Sequence, residues 1–370
     1  MKGNKVIVIG AGLGGISAAS RLVSKGYDVE VFETRPGPGG KADEFFERGY
    51  RWDTGPSLLT LPSVLSQLFE ELGTTLSRHL EIVELDPITR YFYPDGTIID
   101  AYCDRNRFAQ EIEEKTGEKA DVVLDYLDHC RNIYDLTSGM FMFKSLGQIS
   151  TFFSRDALRS LRRIREIDAF RTMHEANSKW FKDERVVQLF DRYATYNGSS
   201  PYLTPATFNL IQHVEYGIGG YAVKGGIYRI TRALTKVAME KGAVFHFNAP
   251  VEKILTEGKE VKGVKVNGRE VTSNIVISNS DVSNTYDKLL RDGKTRSARR
   301  YSRLEPSSSG GVFYWGVGSS NDELLVNNIF FSADYSKEFK DIWEYRRSPL
   351  DPTVYVNITS KVDPEDAGKG

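Results

Sequence analysis

Little in this sequence invites a disulfide, a metal or a membrane-spanning segment. Only Cys103 and Cys130 are cysteine among 370 residues, and no CxxC occurs. Neither a disulfide framework nor a zinc site is supported, no metal ligand set is expected, and a reducing compartment fits. Charge of one sign is missing as well. The formal net charge is −1, so no overall field draws the chain to nucleic acid, and attraction to an anionic surface must be local. No stretch reaches about 18 consecutive apolar residues, and the apolar N-terminal run lacks a cleavable leader pattern. Internal repeats and low-complexity tracts are absent. What remains is a cytosolic chain without a spanning helix, too long for one ordinary core, so two domains are the default.

What is present begins at once. Lys5-Val6-Ile7-Val8-Ile9 has strand character, Gly10-Ala11-Gly12-Leu13-Gly14-Gly15 forms a Gly-rich turn, and small apolar residues (Ile16, Ala18, Ala19, Leu22, Val23) open a helix. A second strand, Asp28 to Phe32, ends on Glu33, about 20 residues beyond Gly12. This is the dinucleotide fingerprint in its full strand–turn–helix–strand context. Gly10 permits the tight turn, Gly12 lets backbone approach a pyrophosphate, and Gly15 lets helix and strand pack closely. Free N–H groups and a positive dipole end face the phosphates, and Glu33 is placed to accept hydrogen bonds from an adenosine ribose. Thr34-Arg35-Pro36-Gly37-Pro38-Gly39-Gly40-Lys41 follows as a second Gly-rich segment. Extra amides and a cation here suit the longer FAD rather than NAD.

Further on, Pro62 to Leu72 reads as an amphipathic helix closed by Gly73, and Ile88 to Tyr102 as a hairpin turning at Pro94-Asp95-Gly96-Thr97. From Asp104 to about Lys182 the pattern is helical. Thr204 is a candidate cap for a helix over Pro205 to Val214. A nucleotide-type pattern then returns. It comprises Val223-Lys224-Gly225-Gly226, a helix Ile227 to Lys241, a strand Val244 to Phe247 and Pro250-Val251-Glu252. A meander over Lys259 to Glu270 turns at Asn267-Gly268, and Val271 to Ser278 reads as one buried strand before Asn279-Ser280-Asp281. Val312 to Val317 and Thr353 to Ile358 are further strand candidates.

Several of these stretches together resemble the carotenoid (phytoene-type) desaturases among the amine-oxidase-like flavoproteins. They are Trp52-Asp53-Thr54-Gly55-Pro56-Ser57, Lys224-Gly225-Gly226 and Ser278-Asn279-Ser280-Asp281. Ser57-Leu58-Leu59-Thr60-Leu61-Pro62 looks more like the hydroxycarotenoid 3,4-desaturases than the phytoene desaturases. The resemblance implies an α/β fold: a Rossmann-type, amine-oxidase-like FAD-binding domain over 1–90 and 221–295, and a discontinuous mixed α+β substrate domain over 91–220 and 296–370. It implies FAD contacts at Gly10, Ala11, Gly12, Gly14, Gly15, Glu33, Thr34, Arg35, Gly40, Lys41, Gly55, Pro56, Ser57, Leu58, Val251 and Asp281. Among these, Gly55 to Leu58 would lie against the isoalloxazine and Val251 against the adenine. Members of the family also carry a second flavin motif and a last helix that this sequence does not reach, so a fragment holding FAD weakly is expected.

The implied reaction introduces C=C bonds into an acyclic or monocyclic carotenoid, with 3,4-desaturation of a 1-hydroxylated substrate as the subtype and flavin N5 as hydride acceptor. No general base is assigned. His213, Glu215 and Tyr216 stand near Lys224-Gly225-Gly226, with His213 read first as an ordinary helix histidine. Exposing a C40 hydrocarbon to water costs on the order of 30 kcal/mol at roughly 0.8 kcal/mol per carbon, so the substrate should come directly from a bilayer. Met140 to Phe143, Phe152, Phe153 and Arg155, Arg159, Arg162, Arg163 and Arg165 (region 140–165) are the candidate interfacial element of a protein peripheral to the inner membrane face. The same residues also suit a tunnel lining and a solvated face. Alternatives are a phytoene or diapophytoene desaturase, another flavin oxidase of this fold acting on amines or porphyrinogens, and a non-catalytic isoprenoid-lipid carrier like the Rab GDP-dissociation inhibitors. The intact turn argues against the carrier. Oligomeric state and electron acceptor are left open.

Overall fold

The computed structural model describes residues 5–141, 163, 166–290 and 295–368. The chain forms two compact units, one of residues 1–83, 222–306 and 362–370, the other of 84–221 and 307–361.

The first unit is built on a parallel sheet. Its order is Ile275–Ser278, β1 (Lys5–Ile9), β2 (Asp28–Phe32) and Val244–His246. β1 pairs on both sides, Val8 opposite Val31 and Ile277, which is why it reads as an unbroken apolar run rather than an alternation. On one face Val6, Val8, Val29 and Val31 pack with Ile16 and Ala19 of the helix α1 (Leu13–Ser24) and with Leu234, Val237 and Ala238 of the helix Tyr228–Glu240. Phe69 and Leu72 from around the helix Pro62–Glu71 close that layer. On the other face Ile7, Ile9 and Phe32 meet Ile254, Val264 and Val266 of a three-stranded antiparallel sheet.

That second sheet corrects one sequence expectation. Val271 to Ser278 is not a single strand: Arg269–Thr272 belongs to the antiparallel sheet and Ile275–Ser278 to the parallel one. Buried Ser273 makes the break, its Oγ accepting from Ile275 N at 3.1 Å while donating to the Lys5 carbonyl at 2.8 Å. A local serine turn replaces one ladder step. The Asn267-Gly268 turn forms as expected, both residues at positive φ.

The second unit carries a sheet ordered Val354–Asn357, Asn327–Phe330, Thr89–Phe92, Ile98–Ala101. The last two strands form the expected hairpin. Helices Arg105–Thr116, Ala120–Phe141, Met173–Trp180 and Glu184–Asp191 accompany it. Their starts follow capping chemistry: Asp104 accepts from Asn106 N and Arg107 N, and Thr172 and Glu175 form a capping box. Two expectations fail here. The Pro205–Val214 segment is a 3₁₀ turn (Ala206–Asn209), a short α-helix (Leu210–His213) and a π-helix (Val214–Ile218) in succession. Thr204 does not cap it. Its backbone is tied to Ser200 and Met173, and its buried Oγ1 has no partner. Val312 to Val317 adds no strand among the described residues. Alternating apolar residues need a neighbouring edge to become a strand, and none of the described strands lies along them.

Candidate functional site

The N-terminal turn sits where β1 gives way to α1. Gly10, at φ 90°, donates its N–H to the Phe32 carbonyl at 2.8 Å. A Cβ on Gly15 would stand 2.0 Å from the Gly10 carbonyl oxygen, closer than any side chain tolerates. Glycine at 15 is therefore a packing requirement, independent of any ligand. Gly12 stands at the N-cap of α1 with no side-chain cap, and no acidic residue lies in the first turn, so the leading amides and positive dipole end suit an anion.

Glu33 is buried at the end of β2. Its carboxylate accepts from Ala11 N at 2.7 Å and from Arg35 N at 2.9 Å, and its carbonyl accepts from Ala249 N at 2.8 Å, two residues before Val251. Glu33 thus joins the turn to the start of the strand Val251–Glu257. The second Gly-rich segment lies alongside. Gly39 N donates to the Ala11 carbonyl at 2.8 Å, and a Cβ on Gly40 would stand 3.3 Å from Gly12 Cα. Exposed Arg35 donates to the Gly40 carbonyl at 2.8 Å and pairs with Asp43 at 3.2 Å. Gly55, ahead of Pro56, Ser57 and Leu58, abuts the Lys41 carbonyl so closely that a Cβ would stand 1.9 Å from it. Gly10 to Gly15, Glu33 to Lys41 and Gly55 to Leu58 therefore form one run of adjoining loops.

Beneath them lies a buried ionic cluster. Arg51 donates to both oxygens of Asp366, at 2.5 and 2.6 Å, and to Asp53 at 3.0 Å, with Glu44 at 3.9 Å. Burial alone would lower the Arg51 pKa, but Asp366 and Asp53 hold it above its ordinary value. Burial raises the carboxyls of Asp53 and Glu44. Gly226, at φ 86°, is the reason the guanidinium fits, since a Cβ there would stand 2.1 Å from Arg51 Nη1. The expected motifs Trp52-Asp53-Thr54-Gly55 and Lys224-Gly225-Gly226 meet here, with Asp53 accepting from Ile227 N at 3.3 Å.

This arrangement has known counterparts. The family model described as flavin containing amine oxidoreductase matches residues 13–314. A 1-hydroxycarotenoid 3,4-desaturase from Flavobacterium sp. (strain P99-3) is 39% identical over 366 residues, covering 99% of this chain and 74% of its own. A zeta-carotene-forming phytoene desaturase from Myxococcus xanthus is 34% identical, covering 100% and 71%. The chain belongs to the flavin-containing amine oxidoreductases. Its fold likeness extends to an oxidoreductase from Methanosarcina mazei, at TM-score 0.61 and 18% identity over 99% of this chain and 76% of that one. As a member of this family, among carotenoid desaturases, the protein is an FAD-dependent oxidoreductase. The glycine cradle and its amide donors fit a dinucleotide.

For this flavoenzyme the structure also limits the catalytic candidates of the second unit. Glu215 is fully buried on the π-helix, with one oxygen accepting from Arg192 at 2.7 Å and the other from the Tyr196 hydroxyl. Arg192 also donates to Tyr91 at 2.8 Å and Tyr193 at 3.0 Å, and Tyr91 and Tyr216 share a hydroxyl contact at 2.9 Å. Burial would lower Arg192, yet Glu215 holds it well above its usual value, while burial raises the four phenols. His213 has its pKa lowered by burial and stacks at a tilt on Tyr134. Glu215 and Tyr216 are thus engaged with protein partners rather than held open as bases. The expected set also omits a residue that reaches the turn. Asp281 spends its carboxylate on Ser283 N at 2.8 Å, capping a short helix, whereas Asn279 lies against Gly12 and Gly14.

Proposed function

We propose that this oxidoreductase desaturates a carotenoid, with a 1-hydroxylated substrate and the 3,4 bond as its specificity. The observation that carries the reading is the 39% identity to a 1-hydroxycarotenoid 3,4-desaturase across 99% of the chain, on an intact glycine cradle. Bound FAD supplies an isoalloxazine able to accept a hydride from a C–H bond. The chain's part is binding and orientation. Gly10 and Ala11 shape the turn, their own amides being committed to Phe32 and Glu33. The amides from Gly12 to Gly15 hold the diphosphate, Glu33 the ribose and Val251 the adenine. Arg35, Gly40 and Lys41 lie toward the phosphates and ribityl chain, with Thr34 between them and Glu33, and Gly55 to Leu58 line the flavin. Asp281 contributes through the helix that it caps. The second unit supplies a hydrogen-bonded polar cluster in which Glu215 is held by Arg192 and the Tyr196 hydroxyl and Tyr216 by Tyr91, rather than offered as free bases.

Substrate delivery belongs to a peripheral membrane site. No helix among the described residues is long and apolar enough to cross a membrane. The candidate docking region 140–165 lies almost wholly outside the described residues. Of its arginines only Arg163 is described, and it pairs with Glu166 and Asn132. Support for docking therefore rests on the aromatic and arginine pattern and on the hydration cost of the substrate.

The test is conversion. The chain loaded with FAD is incubated with 1-hydroxylated and non-hydroxylated acyclic carotenoids in vesicles, and the polyene absorbance is followed. A red shift with the hydroxylated substrate first is expected. Conversion of phytoene alone would reassign it to the phytoene desaturases, and oxidation of amines with no polyene change would defeat the reading. Phe152→Asp with Phe153→Asp should abolish vesicle binding; unchanged binding rules out the docking element.

A further inference from the structure

The strand Ile275–Ser278 runs parallel to β1, and its ladder continues one step beyond, where Asn279 N donates to the Ile9 carbonyl at 2.8 Å. That register delivers residue 279 to the mouth of the Gly-rich turn, within the first unit. Its side chain is exposed and lies across the turn. A Cβ on Gly12 would stand 3.0 Å from Asn279 Nδ2, and one on Gly14 2.6 Å from Oδ1. Gly12 is the position whose missing side chain gives a pyrophosphate its approach. The carboxamide therefore borders the space in which a diphosphate would meet the α1 amides. No side chain caps α1, and no acidic residue stands in its first turn. The neighbouring carboxylate of Asp281 is turned to Ser283 N.

We propose that Asn279 is a cofactor-positioning residue that donates its Nδ2–H to the FAD diphosphate, adding one side-chain donor to a turn otherwise made of main-chain amides. This rests on the flavin reading above. A neutral carboxamide suits the position because it donates without bringing charge. A carboxylate there would oppose the diphosphate at short range. Recognition and obstruction predict opposite signs when the side chain is removed.

The experiment is a titration of the chain with FAD, followed by quenching of flavin fluorescence, for wild type, Asn279→Ala and Asn279→Asp at low and moderate salt. Thermal unfolding of each without FAD checks that the fold is unchanged. Hydrogen bonds to charged groups predict about tenfold or greater weakening for Asn279→Ala. Asn279→Asp is expected to bind weaker still, with part of its loss recovered as salt screens the repulsion. Equal or tighter binding by Asn279→Ala would make the carboxamide an obstacle and overturn the proposal while leaving the flavin site standing. Equal, salt-independent losses in both variants, with lowered melting, would make the role structural and overturn it too. A wild-type chain that refuses FAD would remove the flavin reading itself.

Discussion

The Gly-rich turn of the first unit and the Arg192 cluster of the second are both polar and both rest on main-chain irregularity, yet they spend their hydrogen bonds differently. At the turn the donors are backbone amides at the start of α1 with no side-chain cap, and the residue lying over them is exposed. In the cluster every charge is closed off. Arg192 is shared among Glu215, Tyr91 and Tyr193, and Glu215 between Arg192 and Tyr196. Spare hydrogen-bonding capacity marks the place that receives a ligand, while a saturated network, however rich in titratable groups, serves the fold. A π-helix and a buried glutamate are by themselves an invitation to name a base. The partners here withdraw it.

The largest effect that sharpens this contrast is expected at the saturated network. Arg192→Met leaves Glu215 charged and buried without its partner, which should cost about 4 kcal/mol in urea unfolding. The double variant Arg192→Met with Glu215→Leu should recover most of that loss. No recovery would mean that the network does more than satisfy itself. Next comes the turn. Gly15→Ala forces α1 away from Gly10 and should cost about 3 kcal/mol, with FAD binding lost in the same protein; a variant of normal stability and affinity would contradict the 2.0 Å approach.

The smallest effect is a pH dependence. His174 donates toward buried Asp191 at 2.6 Å, and this hydrogen bond raises the imidazole above its ordinary 6.5. A raised histidine contributes fully below its unfolded pKa and loses that contribution as pH rises through the folded value. Melting temperature should therefore fall between pH 6 and pH 8.5 by more in wild type than in His174→Gln. Expressed as unfolding free energy, the pair's contribution should stay below about 1 kcal/mol, because solvent screens the part-exposed ring. Parallel curves would show that the pair does not titrate in this range.

What could be read in advance follows from where the information lies. Gly10, Gly12, Gly15 and Glu33 sit within one strand–turn–helix–strand stretch, so spacing alone places them, and the structure holds Glu33 on the turn. The hairpin at Thr89–Phe92 and Ile98–Ala101 and the helices Pro62–Glu71 and Tyr228–Glu240 are equally local. Asn279 escapes because parallel pairing brings it to Gly12, and nothing in its own neighbourhood announces that. Ser278-Asn279-Ser280-Asp281 points to this loop, and within it the structure puts the Asn279 carboxamide against the turn while the Asp281 carboxylate accepts from Ser283 N. Glu215 stands out beside Gly225-Gly226 in sequence, while Arg192, 23 residues earlier, decides what it does. The break at Ser273 hides for a related reason: a hydroxyl that turns the chain looks, in a row of apolar residues, like one more strand position.

Arg51 also has a history in time. Its best partner, Asp366, lies 315 residues downstream. At roughly 5–20 residues per second of synthesis, the guanidinium waits on the order of 15 to 60 seconds before that carboxylate leaves the ribosome. Until then only Asp53 and Glu44 can answer it. The loop that presents Gly55 is thus fixed through this pair only after residue 366 has been made, although it is itself among the first parts to be made.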